Sequence, residues 1–334
     1  MNWTPARKRL VAAGGLGALS VGVLLLAGHL RQPWFTRLPR EVPAVDKHRL
    51  LVNVNRLVAF HTPRSSRHPD TLARAADYLE SELRDAGAAV SRQTFTLTGS
   101  GPSYHNVIGR YGPDNGKPLL VVGAHYDAHG EFPGADDNAS GVAVMLSLAR
   151  LLQQERELKG PVALVAFTLE ERTHLGDGLQ GSTLYAFKLE QEKVPVHAML
   201  SLEMLGTYVD APGSQSYPFP GLSLLYPDTG NFVAVVAPFW ETAFARTVKG
   251  AMAGAASLPV ESINAPGFIR GVHNSDHYPF QQRGIRAAMV TDTAWNRNPR
   301  YHTDQDTVDT LDYARMAEAA RGVFGAVMAL DAER

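Results

Sequence analysis

The chain has 334 residues, 45% of them hydrophobic and 19% charged, and a formal net charge of −1. That is a globular composition, long enough for one large α/β domain or, by length alone, two. It lacks the basic surplus that a phosphate backbone requires, which argues against nucleic acid as a partner. There is no cysteine, so disulfides, a zinc ribbon, thiol catalysis and a lipidated N-terminal Cys are excluded. An exported domain of this size does not need disulfides, because its core is large enough to do without them.

Arg7-Lys8-Arg9 precede a run from Leu10 to Leu30 with no Asp, Glu, Lys or Arg. Roughly 20 apolar residues span a hydrocarbon core, whereas the apolar part of a signal peptide is ~7–15 residues long. No strong small-x-small cleavage site follows. Residues 1–30 therefore read as an uncleaved signal-anchor or transmembrane segment, with a cleaved signal or a buried soluble helix as the alternatives. Basic residues lie on both sides, Arg31, Arg37 and Arg40 following the run, so the positive-inside rule gives little direction. The expectation of a catalytic domain outside the cytoplasm, periplasmic or extracellular, rests on that domain being exported. Residues 31–46, with three prolines and mixed charge, read as a linker from membrane to domain.

From His48 to Gly87 the pattern is helical, with Leu72, Ala75, Leu79 and Leu83 on one face and Gly87 as a C-terminal cap. Strand-like stretches run from Val90 to Leu97 and from Asn106 to Tyr111. The unbroken apolar run Leu119-Leu-Val-Val-Gly-Ala then has the look of a strand buried on both faces. Helices are predicted at 142–152, 179–191, 240–256 and 311–330, and strands at 162–169, 198–202, 232–237 and 285–291. This alternation predicts an α/β fold with a mixed, largely parallel central sheet flanked by helices, in which ligands gather at the carboxyl ends of strands.

Five candidate metal ligands stand where strands end. His125 closes Val121-Val-Gly-Ala-His125, Asp137 lies in Gly134-Ala-Asp-Asp-Asn-Ala-Ser-Gly141, and Glu171 closes Phe167-Thr-Leu-Glu-Glu171. Glu203 follows Leu200-Ser-Leu, and His302 sits in Arg300-Tyr-His-Thr-Asp304. Two imidazoles and three carboxylates can hold two divalent ions if one carboxylate bridges, and such donors suit zinc. Glu170, beside a ligand, is free to act as a base, and this is the equipment of a metal-assisted hydrolase. The loop around Asp137, rich in Gly and Asn, reads as backbone mobile enough to aim a bridging carboxylate. Asp127, two residues beyond His125, is placed to hydrogen-bond its other ring nitrogen. His129, His174, His273 and His277 fall near these motifs and are candidates for touching substrate.

The order His…Asp (in Asp-Asn-x-Ser-Gly)…Glu-Glu…acidic…Tyr-His resembles the co-catalytic di-zinc exopeptidase family, which contains bacterial secreted aminopeptidases, glutamate carboxypeptidase-like enzymes and, as relatives, glutaminyl cyclases. The match runs from about Leu50 to the C-terminus and makes 47–334 the catalytic domain. The resemblance implies two zinc ions, with Asp137 bridging, His125 and Glu203 on one ion, and Glu171 and His302 on the other. It implies Glu170 as general base and Tyr301 as a donor to the oxyanion. Ser275-Asp276-His277 matches a segment lining the substrate side of the cleft. Two departures stand out: Glu203 where many members carry Asp, and Arg172 to Asp177 inserted between Glu-Glu and Gly178-Leu-Gln-Gly-Ser182. The activity expected is release of N-terminal residues from peptides with a free N-terminus. The alternatives are a glutaminyl cyclase-like transferase, which would need only one zinc, and a non-enzymatic ectodomain, which would show a broken ligand set.

Overall fold

The computed structural model describes residues 20–61, 63–97, 101–171 and 179–334. Its centre is one eight-stranded sheet in the order β1-β2-β4-β3-β5-β8-β6-β7. The strands are β1 Ala89–Thr96, β2 Ser103–Tyr111, β3 Leu119–His125, β4 Val162–Phe167, β5 Val196–Glu203, β6 Val233–Pro238, β7 Val260–Ala265 and β8 Ala287–Thr291. β4, β3, β5 and β8 run parallel to one another, as do β6 and β7, whereas the β1–β2, β2–β4 and β6–β8 pairs are antiparallel. The sheet is thus mixed with a parallel centre, as the apolar runs of β3 and β4 require: every residue of both is buried.

Helices α1 Lys47–His61, α2 Pro69–Asp85, α3 Gly141–Gln154, α5 Thr242–Ala255 and α7 Tyr313–Ala332 join the larger hydrophobic core. α4 Gly181–Gln191 and α6 Tyr278–Gln281 pack with the other face through Tyr185 and Phe280 against Phe167. The helical stretch predicted over 48–87 is two helices, and the expected face of Leu72, Ala75, Leu79 and Leu83 is buried in the second. Strand β7 escapes a reading by alternation because its buried positions include Ser262 and Asn264. On the face of β8, β6 and β7 away from the main core, Val236, Ala265, Val272 and Met289 form a small cluster of their own, and a cavity opens beside it.

Residues 1–19 of the predicted anchor lie outside the described residues. Residues 20–31 are helical, with Val21, Val23, Leu24, Leu25 and Leu26 exposed. Among the described residues no helix is long and apolar enough to cross a membrane. The expected linker, 31–46, is no free tether. Its backbone donates from Leu38 to Gly250 O and from Arg40 to Gly254 O, and Arg31 pairs with Glu261 at 2.8 Å. The chain comes so close to α5 that a Cβ on Gly254 would meet Leu38 O at 2.1 Å.

Candidate metal centre

Three parallel strands deliver the site to one edge of the sheet. β3 ends on His125, β5 on Glu203, and two residues after β4 the chain turns at Glu170 and Glu171. The turns are sharp. Leu169 (φ 62°), Met204 (φ 45°), Thr293 (φ 87°), Ala294 (φ 50°) and His302 itself (φ 55°) all take left-handed backbone, which is unfavourable for residues bearing a Cβ and is met most often at functional sites.

The five predicted ligands converge. His125 Nε2 lies 3.4 Å from Asp137 Oδ1 and 3.4 Å from Glu203 Oε2. His302 Nε2 lies 3.0 Å from Asp137 Oδ2 and 3.1 Å from Glu171 Oε1. Donors bound to one tetrahedral zinc at about 2.0–2.1 Å sit about 3.3 Å apart, so these separations are those of ligand pairs around a common ion. Asp137 turns one oxygen toward each histidine, the disposition of a bridging carboxylate. With imidazole nitrogen and carboxylate oxygen as the only donors, the residues fit zinc.

The electrostatics follow from burial. Glu170 is pushed well above the usual carboxylate range, first by burial and then by Glu203, Glu171 and Asp276, against the pull of His125. Burial likewise raises Glu203. Burial works against ionised Asp137 too, but hydrogen bonds from His125 and His302 outweigh it and hold this carboxyl below the usual range. His302 overcomes its own burial through the hydrogen bonds of Asp137 and Glu171 and is raised to about 9. Six carboxylates, Asp127, Asp137, Glu170, Glu171, Glu203 and Asp276, thus crowd around three imidazoles, those of His125, His129 and His302, an imbalance that cations relieve.

Residues around the ligands hold positions the sequence reading did not foresee. Asp127 spends its carboxylate on the turn after β4, accepting from Glu170 N and Glu171 N at 3.1 Å each, while His125 Nδ1 finds the Asp127 carbonyl at 3.2 Å and its Oδ1 at 3.5 Å. Ser275 lines the cavity and donates to Glu203 Oε2 at 2.7 Å, so the longer side chain of Glu203 is held by one of its two oxygens. Asp276 and His277 lie behind the wall, each about 1% exposed or less. His277 donates to Val272 O, and burial raises Asp276 to about 7.

The loop bearing Asp137 is not mobile, contrary to expectation. All of Ala135–Ser140 is buried. Asp306 accepts from Asp136 N at 2.8 Å and Asp137 N at 3.1 Å. Asn138 donates to Leu202 O and accepts from Met204 N, and Asp136 accepts from Gly206 N, Thr207 Oγ1 and Asn298 Nδ2. Gly134, at φ 60°, has no room for a side chain because a Cβ would stand 2.3 Å from Asp137 O. Arg64, 1% exposed, ties this loop to the one after β3 by donating to Leu57, Tyr126, Pro133 and Gly134 carbonyls at 2.9 Å each. Nothing local to Arg64 or Asp306 marks them in the sequence, although Asp306 follows His302 by only four residues.

A cavity of about 900 Å³ opens from this centre. Glu170, Glu171, Glu203, Asp137, Tyr301 and His302 line its polar end, and Phe232, Val236, Ile263, Ile269, Met289 and Trp295 its apolar arm. Tyr301 stacks on His302 with ring centroids 3.7 Å apart. His273 also lines the cavity. The predicted insertion, including His174, lies outside the described residues.

Residues 106–327 match the model of Peptidase family M28. The chain belongs to this family. It is 43% identical over 301 residues to the uncharacterized protein YfbL of Escherichia coli, covering 88% of this chain and 91% of that one. It is 32% identical to aminopeptidase YwaD of Bacillus subtilis over 66% of this chain, a match that spans only 44% of YwaD. Among solved structures, BSAP, a zinc aminopeptidase from Bacillus subtilis, superposes with a TM-score of 0.66 at 18% identity, covering 86% of this chain and 96% of BSAP. A Porphyromonas gingivalis glutaminyl cyclase gives 0.62 at 21% identity, covering 87% and 99%. At these identities the likeness is one of fold, and the mixed α/β architecture of this M28 chain is that of zinc aminopeptidases.

Proposed function

We propose that this M28 peptidase is a zinc-dependent aminopeptidase that works with two ions and releases residues from peptides with a free N-terminus. The observation that carries the reading is the division of Asp137, one oxygen toward His125 and the other toward His302. His125, Asp137 and Glu203 would hold one ion, and Asp137, Glu171 and His302 the other. Zinc, when bound, supplies Lewis acidity to the scissile carbonyl and makes a water acidic enough to lose a proton near neutral pH. Glu170, lining the cavity within 3.9 Å of His125 Nε2, accepts that proton. It then passes the proton to the leaving amine. Tyr301, whose hydroxyl burial keeps protonated, donates to the developing oxyanion. The apolar arm receives a substrate side chain. Relatives named as aminopeptidases support the exopeptidase reading.

The uncharged run from Leu10 and the exposed apolar residues of 20–31 support a membrane anchor, with the catalytic domain outside the cytoplasm. Full-length protein should therefore partition with membranes, and its recovery wholly in the soluble fraction with an intact N-terminus would contradict the anchor.

A panel of aminoacyl and N-acetylated aminoacyl fluorogenic substrates, read beside elemental analysis, tests the activity. Turnover confined to free N-termini, lost with chelator and restored by zinc, with about two zinc ions per chain, is the expected result. One tightly held ion together with pyroglutamate formation from glutaminyl peptides would replace the hydrolase with a transferase.

A further inference from the structure

We propose that His129 is a positioning residue for the ion site formed by Glu171 and His302, a role that rests on the zinc reading above. Glu171 stands between two imidazoles. Its Oε1 lies 3.1 Å from His302 Nε2, and its Oε2 lies 3.1 Å from His129 Nδ1. With the proton on Nδ1, His129 donates to Oε2 and leaves Oε1 as the one oxygen facing the site, so Glu171 is held as a monodentate ligand. Ser275 engages one oxygen of Glu203 in a similar way, donating to Oε2 at 2.7 Å while Oε1 lies 3.4 Å from His125 Nε2.

The ring of His129 has a second task. It is stacked on His302 with centroids 3.8 Å apart and planes 8° apart, and Tyr301 is stacked on the same imidazole at 3.7 Å and 18°. Two rings at such distances cannot share one face of a five-membered ring. His302 is therefore clamped between His129 and Tyr301, which fixes its plane and hence the direction of its lone pair. Such restraint matters here because His302 sits on a loop in left-handed backbone, with a quarter of its side chain accessible. The loop of His129 is itself anchored, Ala128 N donating to Arg64 O at 2.8 Å.

His129, Glu171 and His302 together also have the donor types of a metal site, but stacking argues against His129 as a third ligand to that ion. An imidazole binds a metal in its ring plane. An ion in the plane of His302 lies well outside the nearly parallel plane of His129.

The test uses the full chain and two complementary variants. His129→Phe keeps a ring to stack and removes the donor, and His129→Asn keeps a donor near the position of Nδ1 and removes the ring. The readouts are zinc retention against a competing chelator and the absorption spectrum of the cobalt-substituted protein, neither of which requires turnover. Loss of an outer hydrogen-bond partner weakens a metal site by about 10–100-fold. His129→Phe, which keeps the clamp, should lose that much affinity for one of two ions, and His129→Asn should recover only part of it, because the donor returns while His302 loses one face of its clamp. Equal affinities in wild type, His129→Phe and His129→Asn would overturn the proposal. So would a cobalt spectrum that reports one nitrogen ligand fewer in every variant, which would make His129 a ligand. A wild-type protein that takes up no ion at all would remove the zinc reading itself, an outcome distinct from equal binding by all forms.

Discussion

Replacing Arg64 by Met probes how far the site depends on a side chain remote from the chemistry. The guanidinium is buried and donates to four carbonyls, those of Leu57, Tyr126, Pro133 and Gly134. At about 1.5–3 kcal/mol for each hydrogen bond from a charged donor, the gross loss is about 6–12 kcal/mol. Two effects offset it. Burial already works against the charged guanidinium, lowering it to about 10, and that burden disappears with Met. Met also fills much of the volume, and the freed loop carbonyls can turn to water. The net cost expected is about 3–5 kcal/mol, the range for breaking a buried charged network by removing one partner. That is a large share of the ~5–15 kcal/mol that holds a domain together. Because Tyr126 separates His125 from Asp127 and Gly134 precedes Asp137 by three residues, zinc affinity should fall even where the variant remains folded. Urea unfolding of the metal-free protein gives the first quantity and chelator competition the second. Arg64→Lys should be intermediate, since an ammonium cannot reach all four acceptors in the fork geometry. A destabilisation under about 1 kcal/mol with unchanged zinc affinity would refute the reasoning.

Glu170→Gln should lower kcat by ~10²–10⁴ with zinc content near wild type, whereas Glu171→Gln should lose or weaken one zinc; an exchange of these signatures would exchange the roles. Tyr301→Phe should cost about 10²–10³ in kcat with zinc retained, and a loss of only a few-fold would reduce the tyrosine to its stacking on His302. His277 is buried and neutral, held down to about 4 by desolvation, below its unfolded value of about 6.5. The unfolded chain therefore takes up the proton first, so its contribution is complete above about pH 6.5 and is lost, by about 3 kcal/mol, as pH falls toward 4. Urea unfolding at several pH values should show a steeper acid limb in wild type than in His277→Gln, and equal limbs would reject the assignment.

The sequence by itself determined the parallel centre of the sheet and the set of candidate ligands. Both are local signals: β3 and β4 are unbroken apolar runs, and His125, Glu171 and Glu203 come within a few residues of a strand's end, where the direction of the strand alone fixes the edge they share. The family motif spaced the remaining two, Asp137 and His302, in the same register. What only the tertiary structure decided is how those side chains are held. The loop of Asp137 looked mobile from its Gly and Asn content, yet its donors and acceptors are met by Asp306, Leu202, Met204 and Gly206, partners 64 to 170 residues away. Leu169, Met204 and His302 carry no mark of left-handed backbone, because residue type encodes that preference mainly for Gly and Asn. The docking of 31–46 along α5 is equally invisible, since an extended segment finds its hydrogen-bond partners only when a distant helix presents Gly250 and Gly254. Ligand identity is a property of single residues and can be read along the chain. Ligand aim is a property of the long-range hydrogen bonds that close around them, and these exist only once the chain has folded.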